Sequence, residues 1–387
     1  MINPFSTKFP VSPNYFINRE KELSAFKEAL EASFDKHPPR PENLAILGDW
    51  GVGKTSILTK FQDIALNECK DRKLLCVNLS LPSTIADTRE FVADFIEKIY
   101  EVIVSENRLS AKIRDEIFSW RVKSLSLGPL AIEKEKKEFK VSAGAQLRKS
   151  LVELWQNYFS DFDIIILMLD DLHYLVRSIP EGLYDLRTVF QELPEYGCNY
   201  LLIVTGPKVI FSKIRDIAEP LVRFFDQYEI GCFNLEETKK AILTPLRVGG
   251  IPVDIGRDVI ERIFSLTQGH PYFISFVMHD LLQKRSRGRI DIPFFDRVFD
   301  NILSRLHRIK FEMDYGIASD GEKRILKALA NSENERVKIM ELKIAGLKRS
   351  SLSKTMERLI EKDLLVKVER GEYALYHPLF KQFLLKK

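Results

Sequence analysis

Apolar positions in residues 1–232 follow two patterns that alternate along the chain. One is the short apolar run: Leu44-Ala45-Ile46-Leu47, Leu74 to Leu79, Ile164-Ile165-Ile166-Leu167-Met168-Leu169 and Tyr200-Leu201-Leu202-Ile203-Val204. The run from Ile164 has no polar residue, the pattern of a strand covered on both faces of a parallel sheet. The other is helical spacing. Leu23, Phe26 and Leu30 share one face of a helix predicted over Arg19 to Ser33, and further helices follow from Ser56, across 88–105 and over about 182–193. Strands alternating with helices predict an α/β fold, a parallel sheet flanked by helices with right-handed crossovers.

Residues 106–155 break this rhythm. Val122 to Leu127 alternates, Phe139 to Ala143 alternates more weakly, and Glu133 to Lys140 is dense in charge. The pattern predicts an inserted β-hairpin with a charged tip between helices, or else a charged loop without regular structure. Beyond 233 the periodicity turns helical, at Leu235 to Leu246, Val259 to Thr267 and Tyr272 to Gln283, with Gln268-Gly269-His270-Pro271 as a break. Ser319-x-x-Glu322 is a capping box opening a helix through Ala330. Lys338 to Ala345 and Ser350 to Lys362 are two more expected helices, and Leu364 to Val368 and Glu372 to Tyr376 are strands about an Arg370-Gly371 turn. Three helices and a hairpin are the order of a winged helix. The expected domains are an α/β core over 1–232 carrying the 106–155 insertion, a helical lid over 233–314 and a winged helix over 315–387.

Composition narrows the class. Of 387 residues, 45% are hydrophobic and 29% charged, as in globular proteins, and no apolar run approaches the ~18 residues of a membrane span. The first residues lack the basic-then-apolar pattern of a signal peptide. Cys69, Cys76, Cys198 and Cys232 lie far apart with no C-x-x-C pair, which argues against a zinc site or disulfides and for the cytoplasm. The net charge of +4 is uneven: residues 315–387 hold 16 Lys/Arg against 10 Asp/Glu, so a basic end follows a nearly neutral body. That asymmetry suits a polyanionic partner.

The chemistry concentrates in Gly48-Asp49-Trp50-Gly51-Val52-Gly53-Lys54-Thr55, a complete G-x-x-x-x-G-K-[ST] phosphate loop between the first strand and the helix that begins near Ser56. Its glycines let backbone N–H groups turn inward toward phosphate oxygens, and the following helix adds the positive end of its dipole. Lys54 is expected on the β/γ-phosphates of ATP and the Thr55 hydroxyl on Mg²⁺. Asp170 and Asp171 follow the all-apolar strand. Asp170 is expected to hold Mg²⁺ through water and Asp171 to orient the attacking water; the alternative is two solvated loop aspartates. Asp171 is one methylene shorter than a Glu would be, which favours slow hydrolysis. Thr205, at the end of the next strand, could sense the γ-phosphate or serve the turn. Arg223 could act as an arginine finger on a neighbouring subunit of a homo-oligomer, or be a surface arginine.

Taken together these residues resemble the archaeal-type AAA+/STAND P-loop ATPases, whose relatives include origin-recognition-type initiators. The matching segments are Phe16-Ile17-Asn18-Arg19-Glu20-Lys21-Glu22-Leu23, Gly48 to Thr55, Leu167-Met168-Leu169-Asp170-Asp171, Val204-Thr205-Gly206, Gly269-His270-Pro271 and the terminal Tyr376-His377-Pro378-Leu379-Phe380. The resemblance implies that Phe16, Ile17 and Arg19 line an adenine pocket and that Pro271 packs near the base. Two departures stand out. Lys54 and Asp170 are 116 residues apart because of the insertion, and the helix after Pro271 lacks the arginine of an initiator-type sensor. The latter favours a STAND-type switch. His377 could touch a phosphate from the winged helix, as in some STAND switches, or lie on the surface.

Lys348, Arg349, Lys354 and Arg358 cluster on and before the expected recognition helix, with Arg370 at the wing tip. They could contact double-stranded DNA, although Glu357, Glu361 and Glu369 interrupt the patch. The expected function is therefore an ATP-binding, slowly hydrolysing switch associated with DNA; the alternative is a regulatory ATPase whose winged helix makes protein contacts. A small-molecule kinase is disfavoured, because it would leave a terminal winged helix without a task.

Overall fold

The computed structural model describes residues 3–34, 38–81, 87–105, 142–179, 181–208, 210, 214, 222–285, 287–340, 342, 349–369 and 371–387. By their contacts they form two units. The sheet unit comprises Arg19–Asp49 and Gly53–Gly231; the C-terminal unit comprises Met1–Asn18, Trp50–Val52 and Cys232–Lys387.

The sheet unit opens with α1 (Glu20–Ser33), then β1 (Leu44–Leu47), α2 (Lys54–Glu68), β2 (Leu74–Ser80), α3 (Thr88–Ser105) and α4 (Ala143–Leu154). It continues through β3 (Ile164–Asp170), α5 (His173–Ser178), α6 (Glu181–Glu192), β4 (Tyr200–Gly206) and β5 (Asp226–Glu229). The five strands form one parallel sheet in the order β2-β3-β4-β1-β5. Every residue of β3 and β4 is buried, which is why both read as apolar runs. On one flank, Phe26 of α1 stacks on Phe61 of α2 at 4.3 Å.

β5 was not among the expected strands. Its Asp-Gln-Tyr-Glu sequence lies at the sheet edge, is mostly exposed, and is held by backbone pairing to β1. No hydrophobic pattern marks such a strand. Ala143, expected to end a weak strand, instead opens α4, because the Ser142 hydroxyl caps the helix by accepting from the Ala145 N–H at 3.2 Å. The rest of the hairpin expected from Val122 to Ala143, residues 122–141, lies outside the described residues.

In the C-terminal unit, α7 (Leu235–Val248) starts on a capping box of Asn234 and Glu237. β6 (Val253–Ile255), α8 (Arg257–Thr267), α9 (Pro271–Lys284), β7 (Gly288–Ile290) and α10 (Ile292–Leu306) follow, then a π-helical turn at His307–Phe311 and α11 (Glu312–Gly316). Between α8 and α9, Gly269 has φ +70°, and a Cβ there would lie 1.8 Å from the Phe233 carbonyl oxygen. Only glycine fits that turn. The chain ends with α12 (Asp320–Ala330), β8 (Val337–Lys338), α13 (Arg349–Glu361), β9 (Leu365–Glu369), β10 (Glu372–Leu375) and α14 (Pro378–Leu385).

The segment expected to be helical from Lys338 differs at its start: Val337 and Lys338 pair antiparallel with Tyr373 and Glu372, giving a three-stranded sheet in the order β8-β10-β9. Tertiary pairing overrides local propensity there; residues 341 and 343–348 lie outside the described residues. The lid expected over 233–314 and the module expected over 315–387 share one core, in which Phe273, Phe295, Phe311 and Phe380 are fully buried. Among the described residues, no helix is long and apolar enough to cross a membrane.

Candidate active site

The carboxyl ends of β1, β3 and β4 meet at one edge of the sheet, where the Gly48 N–H donates to the Gly206 carbonyl at 3.0 Å. Ligands of open α/β sheets bind at such an edge. The loop that leaves β1 turns through positive φ at Gly51 (+75°) and Gly53 (+102°), and Gly53 is the N-cap of α2. Lys54 folds back over the loop, its ammonium donating to the Gly48 and Asp49 carbonyls at 2.9 Å each. Ser56 is half-buried in the first turn of α2.

Thr55 and the acidic pair are joined directly. The Thr55 hydroxyl donates to Asp170 Oδ2 at 2.7 Å. Asp170 Oδ1 accepts a short hydrogen bond from the Thr205 hydroxyl. That hydroxyl also accepts from the Asp171 N–H at 3.0 Å, while the Thr205 carbonyl accepts from the Leu172 N–H at 2.8 Å. Thr205 is fully buried, so both roles of its hydroxyl are spent on holding the acidic turn. Asp171 is half-buried and sits at φ +62°, an uncommon conformation for a residue with a Cβ and one that collects at functional turns.

The turn brings in a residue that no motif had singled out. His173 Nδ1 lies 3.6 Å from Asp171 Oδ1 and is buried without a hydrogen-bond partner. Burial, then the Arg177 and Lys54 charges, push its pKa down to about 4, so the ring is neutral near pH 7. Its position two residues past the acidic pair carries no sequence signal of its own.

Among the described residues, no group of three or more His, Cys, Asp or Glu could hold a metal unaided. The Thr55 hydroxyl and Asp170 carboxylate are hard oxygens in mutual contact. They fit Mg²⁺, which takes one or two protein oxygens and completes its octahedron with water and phosphate.

The crest of the loop, Trp50 to Val52, belongs to the C-terminal unit. There His270 Nε2 meets the Trp50 carbonyl at 3.0 Å, and a Cβ on Gly51 would come within 2.8 Å of His270 Cε1. Pro271 opens α9 half-buried, and Phe16 and Ile17 are half-buried in the same unit. Arg19, in the sheet unit, has φ +69°, and its guanidinium makes a short hydrogen bond to the Gly231 carbonyl. Arg223 is exposed in the turn before β5, at the amino edge of the sheet and so on the side opposite its own phosphate loop. Lys354 and Arg358 are exposed on α13, which begins at Arg349; Lys348 and Arg370 lie outside the described residues. His377 is neither on the surface nor open to a phosphate. It is 3% exposed, its Nε2–H donates to the Thr267 carbonyl at 2.9 Å, and its Nδ1 accepts the Leu379 N–H at the start of α14.

A family model described as the KAP family P-loop domain matches residues 24–221. The chain belongs to the KAP family of P-loop NTPases. A second family model, a domain of unknown function (DUF8462), matches residues 309–384 of this KAP-family chain. No curated protein matches it. Solved structures with the same fold include the Walker-type ATPase PABY2304 of Pyrococcus abyssi, at TM-score 0.63 and 18% identity over 98% of this chain and 99% of that one. The Aeropyrum pernix ORC2 protein, solved as ADPNP–ADP complexes, superposes at TM-score 0.60 and 12% identity over 99% and 96% of the two chains. The Aeropyrum pernix ORC1 protein, solved in complex with DNA, superposes at TM-score 0.52 and 13% identity over 97% and 94%.

Proposed function

We propose that this KAP-family protein binds ATP with Mg²⁺ and hydrolyses it slowly, as a nucleotide-dependent switch that associates with double-stranded DNA. The observation that carries the reading is the chain of contacts Thr55–Asp170–Thr205–Asp171, which ties the phosphate loop to the acidic turn. In this reading the loop N–H groups and Lys54 bind the phosphates, and Thr55 and Asp170 hold the metal, which supplies charge neutralisation between phosphate oxygens. Asp171 orients water, and Thr205 keeps the two carboxylates in place rather than sensing phosphate. Phe16, Ile17, Arg19 and Pro271 serve the base. Arg223, remote from its own loop, acts on the site of a neighbouring copy.

DNA association is supported by the basic terminal segment and the exposed Lys354 and Arg358 on α13, in what we take as a winged helix. The exposed Glu357 and Glu361 on the same helix favour the other reading, protein contact. One titration series tests both levels. Wild type should bind ATP·Mg²⁺ calorimetrically and Lys54→Ala should not, since Lys54 is the only cation in the loop. Duplex DNA should bind with an affinity that falls steeply with salt, by roughly one counterion per phosphate contact. Absence of DNA binding even at ~50 mM salt would leave the protein-contact switch.

A further inference from the structure

The crest of the phosphate loop is gripped by residues outside any nucleotide motif. Trp50, Gly51 and Val52 cluster with residues 232–387, whereas their neighbours Asp49 and Gly53 belong to the sheet unit. Within the C-terminal unit, Lys310 Nζ stands 3.7 Å from the centroid of the Trp50 indole, and the Tyr272 ring lies 4.6 Å from it. The ammonium is fixed from behind: Asp314, itself buried, accepts from Lys310 at 2.7 Å and from the Tyr376 hydroxyl at 2.6 Å. On the backbone side, His270 takes the Trp50 carbonyl. An ion-paired, half-buried ammonium centred this closely over an indole is the favourable geometry for a cation–π contact. Structural packing alone does not ask for a tryptophan at the crest of a glycine-rich loop, held by a lysine from the π-helical turn at 307–311.

We propose that Lys310 is a positioning residue for the phosphate loop: anchored by Asp314 and Tyr376, it holds the Trp50 indole and so keeps the crest in the curl that receives phosphate. The proposal rests on the nucleotide reading above. A crest without this hold would have to be ordered at each binding event, and the ordering cost would appear as weaker affinity. A cation–π contact of this kind corresponds to a loss of about three- to tenfold in the ATP·Mg²⁺ dissociation constant.

The test combines Lys310→Met and Lys310→Arg with Trp50→Phe. Without nucleotide, the Trp50 emission, taken as wild type minus Trp50→Phe, should change in Lys310→Met and return in Lys310→Arg, which can still pair with Asp314 and stack on the indole. By calorimetry, Lys310→Met should weaken ATP·Mg²⁺ binding about three- to tenfold, Lys310→Arg should restore it, and the loss should largely vanish in the Trp50→Phe background. A thermal melt of each variant separates misfolding from mispositioning. Wild-type affinity in Lys310→Met, or an equal loss with and without Trp50, would overturn this proposal alone. Failure of the wild type to take up ATP would instead overturn the nucleotide reading on which it stands.

Discussion

Replacing Thr205 by valine or by serine separates the hydroxyl from the methyl at the point where the acidic turn is anchored. Valine keeps the volume and removes the oxygen that donates to Asp170 and accepts from the Asp171 N–H. A hydrogen bond to a charged group is worth ~1.5–3 kcal/mol, and an orphaned buried N–H costs ~1–3 kcal/mol. Thr205 is fully buried, so water cannot step in. Thr205→Val should therefore destabilise by about 3 kcal/mol, and Thr205→Ser, which loses one methyl, by about 1 kcal/mol. In urea the midpoint should fall with the slope unchanged, in the transition of the sheet unit. The functional consequence follows from the same bonds. Asp170 keeps its contact with Thr55 but loses the one that fixes its other oxygen, so Mg²⁺-dependent ATP affinity should drop in Thr205→Val and be nearly retained in Thr205→Ser. Equal stability and equal metal dependence in the two variants would refute the assignment of Thr205 as the residue that holds the turn.

Three further outcomes follow. Asp171→Asn should keep ATP·Mg²⁺ binding and lose turnover, read by phosphate release under single-turnover conditions; unchanged release would remove Asp171 from the mechanism. If Arg223 serves a neighbour's site, specific ATPase activity should rise with protein concentration and Arg223→Ala should flatten the rise without altering nucleotide affinity; a flat wild-type profile would exclude the finger. Acidification should destabilise the C-terminal unit. Burial lowers the folded pKa of His270 to about 3 and of His377 to about 4, below the ordinary value of 6.5, so the unfolded chain binds the extra protons. The stability these rings contribute is complete above pH 6.5 and is lost as pH falls toward the folded values, by up to about 2 kcal/mol per ring at pH 5. Protonated His377 would also present an Nδ1–H to the Leu379 N–H it now accepts from. A melting temperature that holds constant from pH 7 to 5 would contradict both buried neutral rings.

The features that sequence reveals here are those whose chemistry constrains consecutive residues. The phosphate loop needs its glycines and Lys54 in fixed order, a doubly covered strand needs an unbroken apolar run such as Ile164 to Leu169, and a capping box needs Ser319 and Glu322 three apart. What escapes is set by partners distant in the chain. β5 is polar and exists because β1 offers it a backbone ladder. β8 forms because Tyr373 and Glu372 pair with it, against a local pattern that favours helix. α10, by contrast, is capped by Asp291 and apolar on one face, a signal that lies wholly within its own residues.

The same division runs through the site. Sequence names Thr205 as a small polar residue at a strand end, whereas the role we propose for it rests on two hydrogen bonds to residues 34 and 35 positions away, from the Asp171 N–H and to the Asp170 carboxylate. His377 follows the same rule: a terminal histidine looks available until the Thr267 carbonyl, 110 residues upstream, is found to hold its Nε2–H. Motif positions identify which groups can meet phosphate and metal. Which of them take that role depends on the bonds already made around them, and in the function we propose Lys54, Thr55, Asp170 and Asp171 form the working set, with Thr205 bonded to Asp170 behind them.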